Sequence, residues 1–140
     1  MNITKALLAD YANVSVEGKL NVLGIFTAIG ALNFPATHPQ MHLVFMWEAS
    51  PIEVGKRKKI QMTLSDGDGN KLLVIGGEMV IPKGTPGQQI HGNQIIALPN
   101  IRFEKPGLYV FHISVNEDPK AEAPFLVNSI PSSKKGVKSS

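Results

Sequence analysis

Apolar and polar residues alternate at every second position along much of this chain, which is the period of a β-strand with one buried face. The alternation is cleanest over residues 59–65 and 108–116. No segment sustains a helical period, and Gly, Pro, Asn and Asp punctuate the runs, so the pattern predicts an all-β protein. The residues of the second segment that we expect to face the core are Tyr109, Phe111, Ile113 and Val115.

About eight strands are predicted, and the short turns between most of them favour antiparallel pairing. We therefore predict a single antiparallel β-sandwich over residues 1–128, with a closed β-barrel as the alternative. The predicted strands are 3–16, 20–34, 41–48, 59–65, 71–81, 89–98 with an extension through 103, 108–116 and 124–127.

The run at 20–34 is apolar on both faces, which predicts a strand in the middle of the sandwich. A helix over part of this run is the alternative, but two glycines and several β-branched residues argue against it. Two Xaa-Pro dipeptides, at 34–35 and 38–39, are expected to break the chain after it. In the next strand Trp47 alternates with Phe45, so we expect Trp47 to be buried.

The net charge of +3 lies in residues 129–140, which hold three lysines and no acidic residue. The chain has 14 basic residues, and taking away those 3 leaves 11 against 11 acidic residues. A Ser/Lys/Gly tail of this composition is expected to be disordered. The neutral body argues against nucleic-acid binding, and we interpret its one basic cluster as a solvated strand edge because no stacking aromatics are interleaved with it. That cluster is Lys56, Arg57, Lys58 and Lys59.

The absence of cysteine excludes disulfides, Cys-ligated metals and thiol chemistry. No apolar run reaches the roughly 18 residues of a membrane helix, and the N-terminus lacks a signal-peptide pattern, so we expect no membrane contact and a cytoplasmic location. The sequence also contains no phosphate-cradling glycine loop, nucleophile elbow or dinucleotide fingerprint. We therefore predict that the protein has no cofactor and is not an enzyme.

The segment DGDGN is the best candidate for a metal site in the sequence. Asp66, Asp68 and Asn70 match the first, third and fifth ligands of an EF-hand loop. The sixth position requires glycine but is Lys71, and the twelfth requires a bidentate glutamate but is Gly77. Because Asp and Gly supply the positive φ angles of a hairpin, we interpret the segment as a turn between two strands.

The histidines and most acidic residues show no spacing typical of a metal or catalytic site. An active site would have to assemble from distant strands, and a hydrolase of that kind is the third functional hypothesis. The residues that would have to converge are Asp10, Glu48, Glu78, Asp118, His38, His42, His91 and His112.

The N-terminal segment ALLADYANVSVEGKLNVLGIFTAI resembles the opening of a family of small uncharacterised bacterial proteins, a domain of unknown function. Segments 106–116 and 123–127 are similar to that family's ending. The resemblance implies a compact β-sandwich and no known activity. This chain has Gly24-Ile25-Phe26 where members often carry glycines and a Trp, so no functional residue is implied. The resemblance rests on Leu7, Leu8, Asp10, Ala12, Gly18, Lys19, Leu20, Val22, Leu23 and Gly24.

The leading hypothesis is a non-enzymatic β-sandwich that binds a protein partner or a second copy of itself. The second and fifth predicted strands are apolar on both faces. If either strand lies outside the centre of the sandwich, it has more apolar residues than one core can bury. Such a surplus marks an interface. The alternative is a small-ligand or carbohydrate-binding sandwich that uses loops around Trp47, 82–87 and Tyr109. The surplus apolar residues are Leu23, Ile25, Ile29, Leu73, Ile75 and Met79.

We predict that calcium does not stabilise this protein, because DGDGN lacks the glycine and the glutamate that an EF-hand loop requires. The melting temperature should be the same in EDTA and in millimolar calcium, with magnesium as the control for divalent charge. A rise in melting temperature at calcium concentrations below millimolar would contradict the turn interpretation.

Overall fold

A computed structural model describes residues 1–131 as two β-sheets packed face to face. The prediction of an all-β sandwich is confirmed, with nine strands rather than about eight. A short 3₁₀ turn, Pro51–Glu53, is the one helical element among these residues, and none is long and apolar enough to cross a membrane. The strands are β1 (Asn2–Val14), β2 (Leu20–Phe26), β3 (Ala28–Ala31), β4 (Ala36–Ala49), β5 (Arg57–Asp66), β6 (Lys71–Val80), β7 (Ile90–Phe103), β8 (Gly107–Val115) and β9 (Asp118–Ser129).

The order of the strands in each sheet shows which strands are internal and which lie at an edge. One sheet has four strands in the order β2-β1-β4-β7, and the other has five in the order β3-β9-β8-β5-β6. All neighbours run antiparallel except β3 and β9, which are parallel. The sheet edges are therefore β2 and β7 in the first sheet, and β3 and β6 in the second.

The core lies between the inner faces of the two sheets. Because alternate side chains of a strand point to the same side, the internal strand β4 sends Leu43, Phe45 and Trp47 inward. Phe125 on β9 packs against several of the other aromatic rings, and each such pair contributes about 0.5–1.5 kcal/mol beyond the burial of its area. The internal strand β8 buries the predicted set, which is Tyr109, Phe111, Ile113 and Val115.

The prediction of one central strand over 20–34 is wrong. The segment forms two strands, of which β2 pairs only with β1 and β3 pairs only with β9. The chain passes from one sheet to the other at Thr27, whose backbone oxygen accepts the N–H of Leu126. The apolar residues on the second face of this segment are therefore not buried in a sandwich centre. Leu23 and Ile25 lie on the edge strand β2 and are exposed.

Prolines lie inside three strands and do not end them, and β9 alone contains two, Pro119 and Pro124. The strand β4 begins at Ala36 and continues through Pro39, where the sequence predicts a break, and β7 continues through Pro99. Proline is tolerated where one side of a strand has no ladder partner. This holds for the edge strand β7, and also for the start of β4, because β1 pairs with β4 only as far as His42.

The N-terminal strand is held to the turn after β4 by a small cluster of charges around Glu53. Its carboxylate lies 2.8 Å from the Lys58 ammonium, contacts the Met1 ammonium and accepts the backbone N–H of Ser50 at 2.8 Å. The Lys58 ammonium, helped by that of Met1, holds the pKa of Glu53 well below its usual range. The side chains of Glu53 and Lys58 are only 15% and 13% exposed, so solvent screens this pair less than a surface pair.

The folded part extends slightly beyond the predicted boundary at residue 128. Ser129 is the last residue of β9, and the side chain of Ile130 packs against Gly30 of β3. The remainder of the predicted disordered tail, residues 132–140, lies outside the described residues.

We predict that Gly92→Ala destabilises the protein while Gly76→Ala does not. Gly92 on β7 faces Trp47, and the indole occupies the space that a side chain at position 92 would need. Forcing the two apart should lower the free energy of unfolding by about 1–3 kcal/mol. Gly76 on β6 is the matched control, because no described atom lies within 4 Å of an added Cβ there. Urea denaturation of both variants measures this, and equal stabilities would contradict the packing of Trp47 under β7.

Candidate functional site

The DGDGN segment forms the turn between β5 and β6, as predicted. The Asp66 carboxylate accepts the backbone N–H groups of Asp68 and Asn70, both at 2.9 Å, and these bonds, that of Asn70 foremost, lower the pKa of Asp66. Asp68 instead lies 2.9 Å from the Lys105 ammonium. The Asp66 carboxylate therefore closes the turn, whereas that of Asp68 joins it to the loop between β7 and β8. Residues 1–131 contain no group of three or more His or acidic residues that could hold a metal ion.

The loops expected to form a ligand site present no exposed aromatic ring at the predicted positions. Trp47 and Tyr109 are 4% and 2% exposed. The Tyr109 hydroxyl donates to the backbone oxygen of Lys105 at 2.6 Å, and burial raises the pKa of Tyr109. A sugar platform requires an accessible ring face, and neither residue offers one.

The described histidines and acidic residues do not gather in one cleft. His112 points outward, as predicted, and its Nδ1 lies 3.1 Å from Glu122 Oε2, with both side chains about half exposed or more. Glu48 and His91 are cross-strand neighbours on another sheet. Sequence reasoning did not include Glu122, because its position beside His112 depends on the register between β8 and β9.

The basic cluster lies at the start of β5, which is an internal strand of its sheet. Because β8 pairs with β5 only from Ile60 onward, the basic residues have a strand partner on the β6 side alone. Arg57 lies 3.3 Å from the carboxylate of Glu78, and Lys58 pairs with Glu53. Two of the four cations are therefore paired within the fold.

The two sheets differ in the side chains that they turn towards solvent. In the five-stranded sheet, β5 buries Ile60, Met62 and Leu64, so its alternate residues point outward. The centre of this outward face is polar, although Leu72, Val74, Val80, Leu108 and Leu126 are exposed around it. The polar residues are Lys59, Gln61, Thr63, Glu78, His112, Ser114 and Glu122.

The outward face of the four-stranded sheet is apolar. The strand β4 sends its odd-numbered residues from Met41 to Ala49 into the core, so the residues between them point outward. Directly paired residues of antiparallel strands share one face, and this assigns their neighbours on β1, β2 and β7. We call the resulting surface the apolar face and define it as Leu7, Ala9, Tyr11, Leu23, Ile25, His42, Val44, Met46, Ile95 and Ala97.

The apolar face is open to solvent in the described part of the chain, because two sheets and one 3₁₀ turn provide no third layer to cover it. Leu23 is 70% exposed and Ile25 is 61% exposed. By contrast, Val44 and Ala9 are 1% and 0% exposed, because neighbouring side chains on both sides enclose them. The face thus has a close-packed floor from which the side chains on β2 project.

His42 is the polar member of the apolar face and is 5% exposed. Its Nδ1 donates to the backbone oxygen of Asp10 at 3.1 Å, and its ring meets that of Tyr11 edge-on at 5.2 Å between centroids. Because a carbonyl only accepts, Nδ1 carries the hydrogen and Nε2 is left as an acceptor. Sequence reasoning found Leu23 and Ile25 of this face as surplus apolar residues but missed its members on β1, β4 and β7. One signal points to those on β4, because Val44 and Met46 are apolar although they alternate with the core residues.

The apolar face is close in size to the smaller functional patches of ordinary proteins. Its members span five residues on β1 and on β4 and three residues on β2 and on β7. With strands about 4.8 Å apart and a rise of about 3.3 Å per residue, this gives an area of about 250 Å². The largest apolar patch on an ordinary monomer measures about 300–600 Å² and is often functional. A standard protein interface buries about 800 Å² per partner, so the apolar face provides about a third of one.

Comparison with known proteins identifies a family but no activity. The DUF6941 family, described as a family of unknown function, matches residues 4–128. No protein with a curated description matches the chain in sequence. Among solved structures, the Pseudomonas fluorescens alkylpurine DNA glycosylase AlkC, bound to DNA containing an abasic site analog, is 17% identical with a TM-score of 0.42. That match covers 72% of this chain and 27% of the glycosylase chain, and so slight a likeness supports no conclusion about DNA.

Proposed function

The chain belongs to the DUF6941 family, and we propose that it is a non-enzymatic protein-interaction module whose contact surface is the apolar face. The observation that supports this proposal is the contrast between the two outward faces of one sandwich. A two-layer sandwich needs apolar side chains only on its inner faces, and the five-stranded sheet follows that rule at its centre. The four-stranded sheet does not, and contiguous exposed apolar patches often mark binding surfaces.

The energetics favour a reversible complex. Burying about 250 Å² of apolar surface on this chain gives about 6 kcal/mol at about 25 cal/mol per Å². Association costs about 4–15 kcal/mol in lost freedom of motion. The apolar face alone therefore supports a weak or transient contact, and polar groups around it must add to the affinity of any tighter complex.

The polar groups of the described chain favour a binding role over catalysis. Glu53 and Asp66 are engaged in contacts that close turns, Asp68 pairs with Lys105 of a neighbouring loop, and the pair of His112 and Glu122 lies on an open sheet surface. Catalytic acids and bases usually lie in clefts that shift their pKa values and exclude water. We also propose a cytoplasmic location, on the absence of cysteine from the sequence.

We predict that a crosslinker on the apolar face captures protein, whereas one on the other outward face does not. The chain has no cysteine, so a single introduced cysteine reports one position. A benzophenone maleimide attached to Tyr11→Cys should form a discrete protein adduct in an extract of the source cells. The same label on Val74→Cys is the control, because Tyr11 and Val74 are similarly exposed, 46% and 52%.

Addition of Ile25→Lys to the Tyr11→Cys variant should abolish the adduct, because a charge would then have to be buried in the contact. Persistence of the adduct in that double variant, or equal labelling from both faces, would contradict the proposal. The mass of the adduct identifies the partner as a second copy or as another protein.

A further inference from the structure

We propose that a second copy of this chain covers the apolar face, so that two four-stranded sheets pack face to face about a two-fold axis. This inference rests on the proposed function and commits it to one occupant. A two-fold contact brings the same surface of both copies together, so the surface must be complementary to itself. The charges and side-chain sizes on this surface must therefore match those of the same surface in the second copy.

The charges that border the apolar face are of both signs. Lys5 is directly paired with Met46, and Glu48 lies two residues further along β4 on the same side of the sheet. Lys5 is exposed and Glu48 is half-buried. Among residues 1–131 neither forms an ion pair. A partner that is strongly acidic or strongly basic would leave one of these two charges unmatched, whereas a second copy can match both.

A two-fold axis that runs along the strands between β1 and β4 satisfies this charge pattern. It places β1 of each copy over β4 of the other, and β2 of each copy over β7 of the other. Lys5 of one copy then faces the segment from Met46 to Glu48 of the other copy. The symmetry produces this contact twice, once on each side of the axis.

The same axis places large side chains over small ones. One row across the sheet consists of Ile25, Ala9, His42 and Ala97, which are paired in register from β2 to β7. The axis reverses this row in the second copy, so Ile25 lies over Ala97 and His42 lies over Ala9. Alternation of large and small residues across facing positions is how packed layers interdigitate.

The size of the contact sets the expected strength of the dimer. Each copy contributes about 250 Å² of apolar surface, and even with a polar border the total falls at or below about 1,200 Å², the range of weak and transient complexes. We therefore expect a monomer–dimer equilibrium with a dissociation constant of micromolar order or weaker.

Sedimentation equilibrium of the full chain, over about 1 µM to about 1 mM, tests the presence and the site of the dimer. Ile25→Lys should weaken association at least tenfold, because it places a charge opposite Ala97. Leu126→Lys, on the outward face of the other sheet, is the matched control and should leave association unchanged, since Leu126 is also exposed, at 46%.

A charge reversal tests the orientation of the two copies. Lys5→Glu and Glu48→Lys should each weaken the dimer by about threefold to tenfold, because each brings like charges together across the axis. The double variant with both changes should restore the affinity of the original chain. Failure of the double variant to recover, while both single variants are weakened, would overturn this orientation.

The outcomes separate this inference from the proposed function. A chain that stays monomeric at about 1 mM, while Tyr11→Cys forms an adduct of another mass, overturns the second copy as occupant and leaves the interaction module standing. A dimer that Ile25→Lys does not weaken places the contact elsewhere and overturns the inference. A monomer that also forms no adduct overturns both.

Discussion

The two-residue period of the internal strand β4 is the constraint on which the rest of the structure depends. Burial of Leu43, Phe45 and Trp47 in the core forces His42, Val44 and Met46 to the opposite side of the sheet. Both sets are largely apolar, but only one of them lies between the two sheets. The core and the apolar face are therefore two consequences of the same strand, and we propose that a partner outside the described chain covers the second set.

The remaining strands stabilise this arrangement without adding a chemical site. The rings of Phe103, Tyr109 and Phe125 fill one end of the core, and Glu53 holds the N-terminal strand to the turn after β4. Asp66 closes the hairpin from β5 to β6 with its own carboxylate. Because the carboxylates of Glu53 and Asp66 are engaged in contacts within the fold, we propose that the protein functions through the surfaces of its sheets.

The alternation of apolar and polar residues predicts which side chains of a strand face the core and where the strand turns. The inward set on β8 and the turn at Asp66 follow from alternation and from turn chemistry, and both are confirmed. Whether a strand lies at the centre or the edge of a sheet depends on pairing between distant residues. For that reason the pattern alone puts the run at 20–34 in the wrong place, and it predicts that Pro39 ends a strand that in fact continues through it. The surplus of apolar residues at Leu23 is visible in the sequence, but the surface to which they belong requires the register of four strands.

The central claim, that a second copy covers the apolar face in solution, is tested most directly by the solvent accessibility of its methyl groups. Methyl NMR with a soluble nitroxide measures this residue by residue as the protein concentration rises. We expect the nitroxide to broaden the signals of Leu23 and Ile25 progressively less at higher concentration, while its effect on Leu126 stays constant. Equal and concentration-independent broadening of all three signals would contradict the claim.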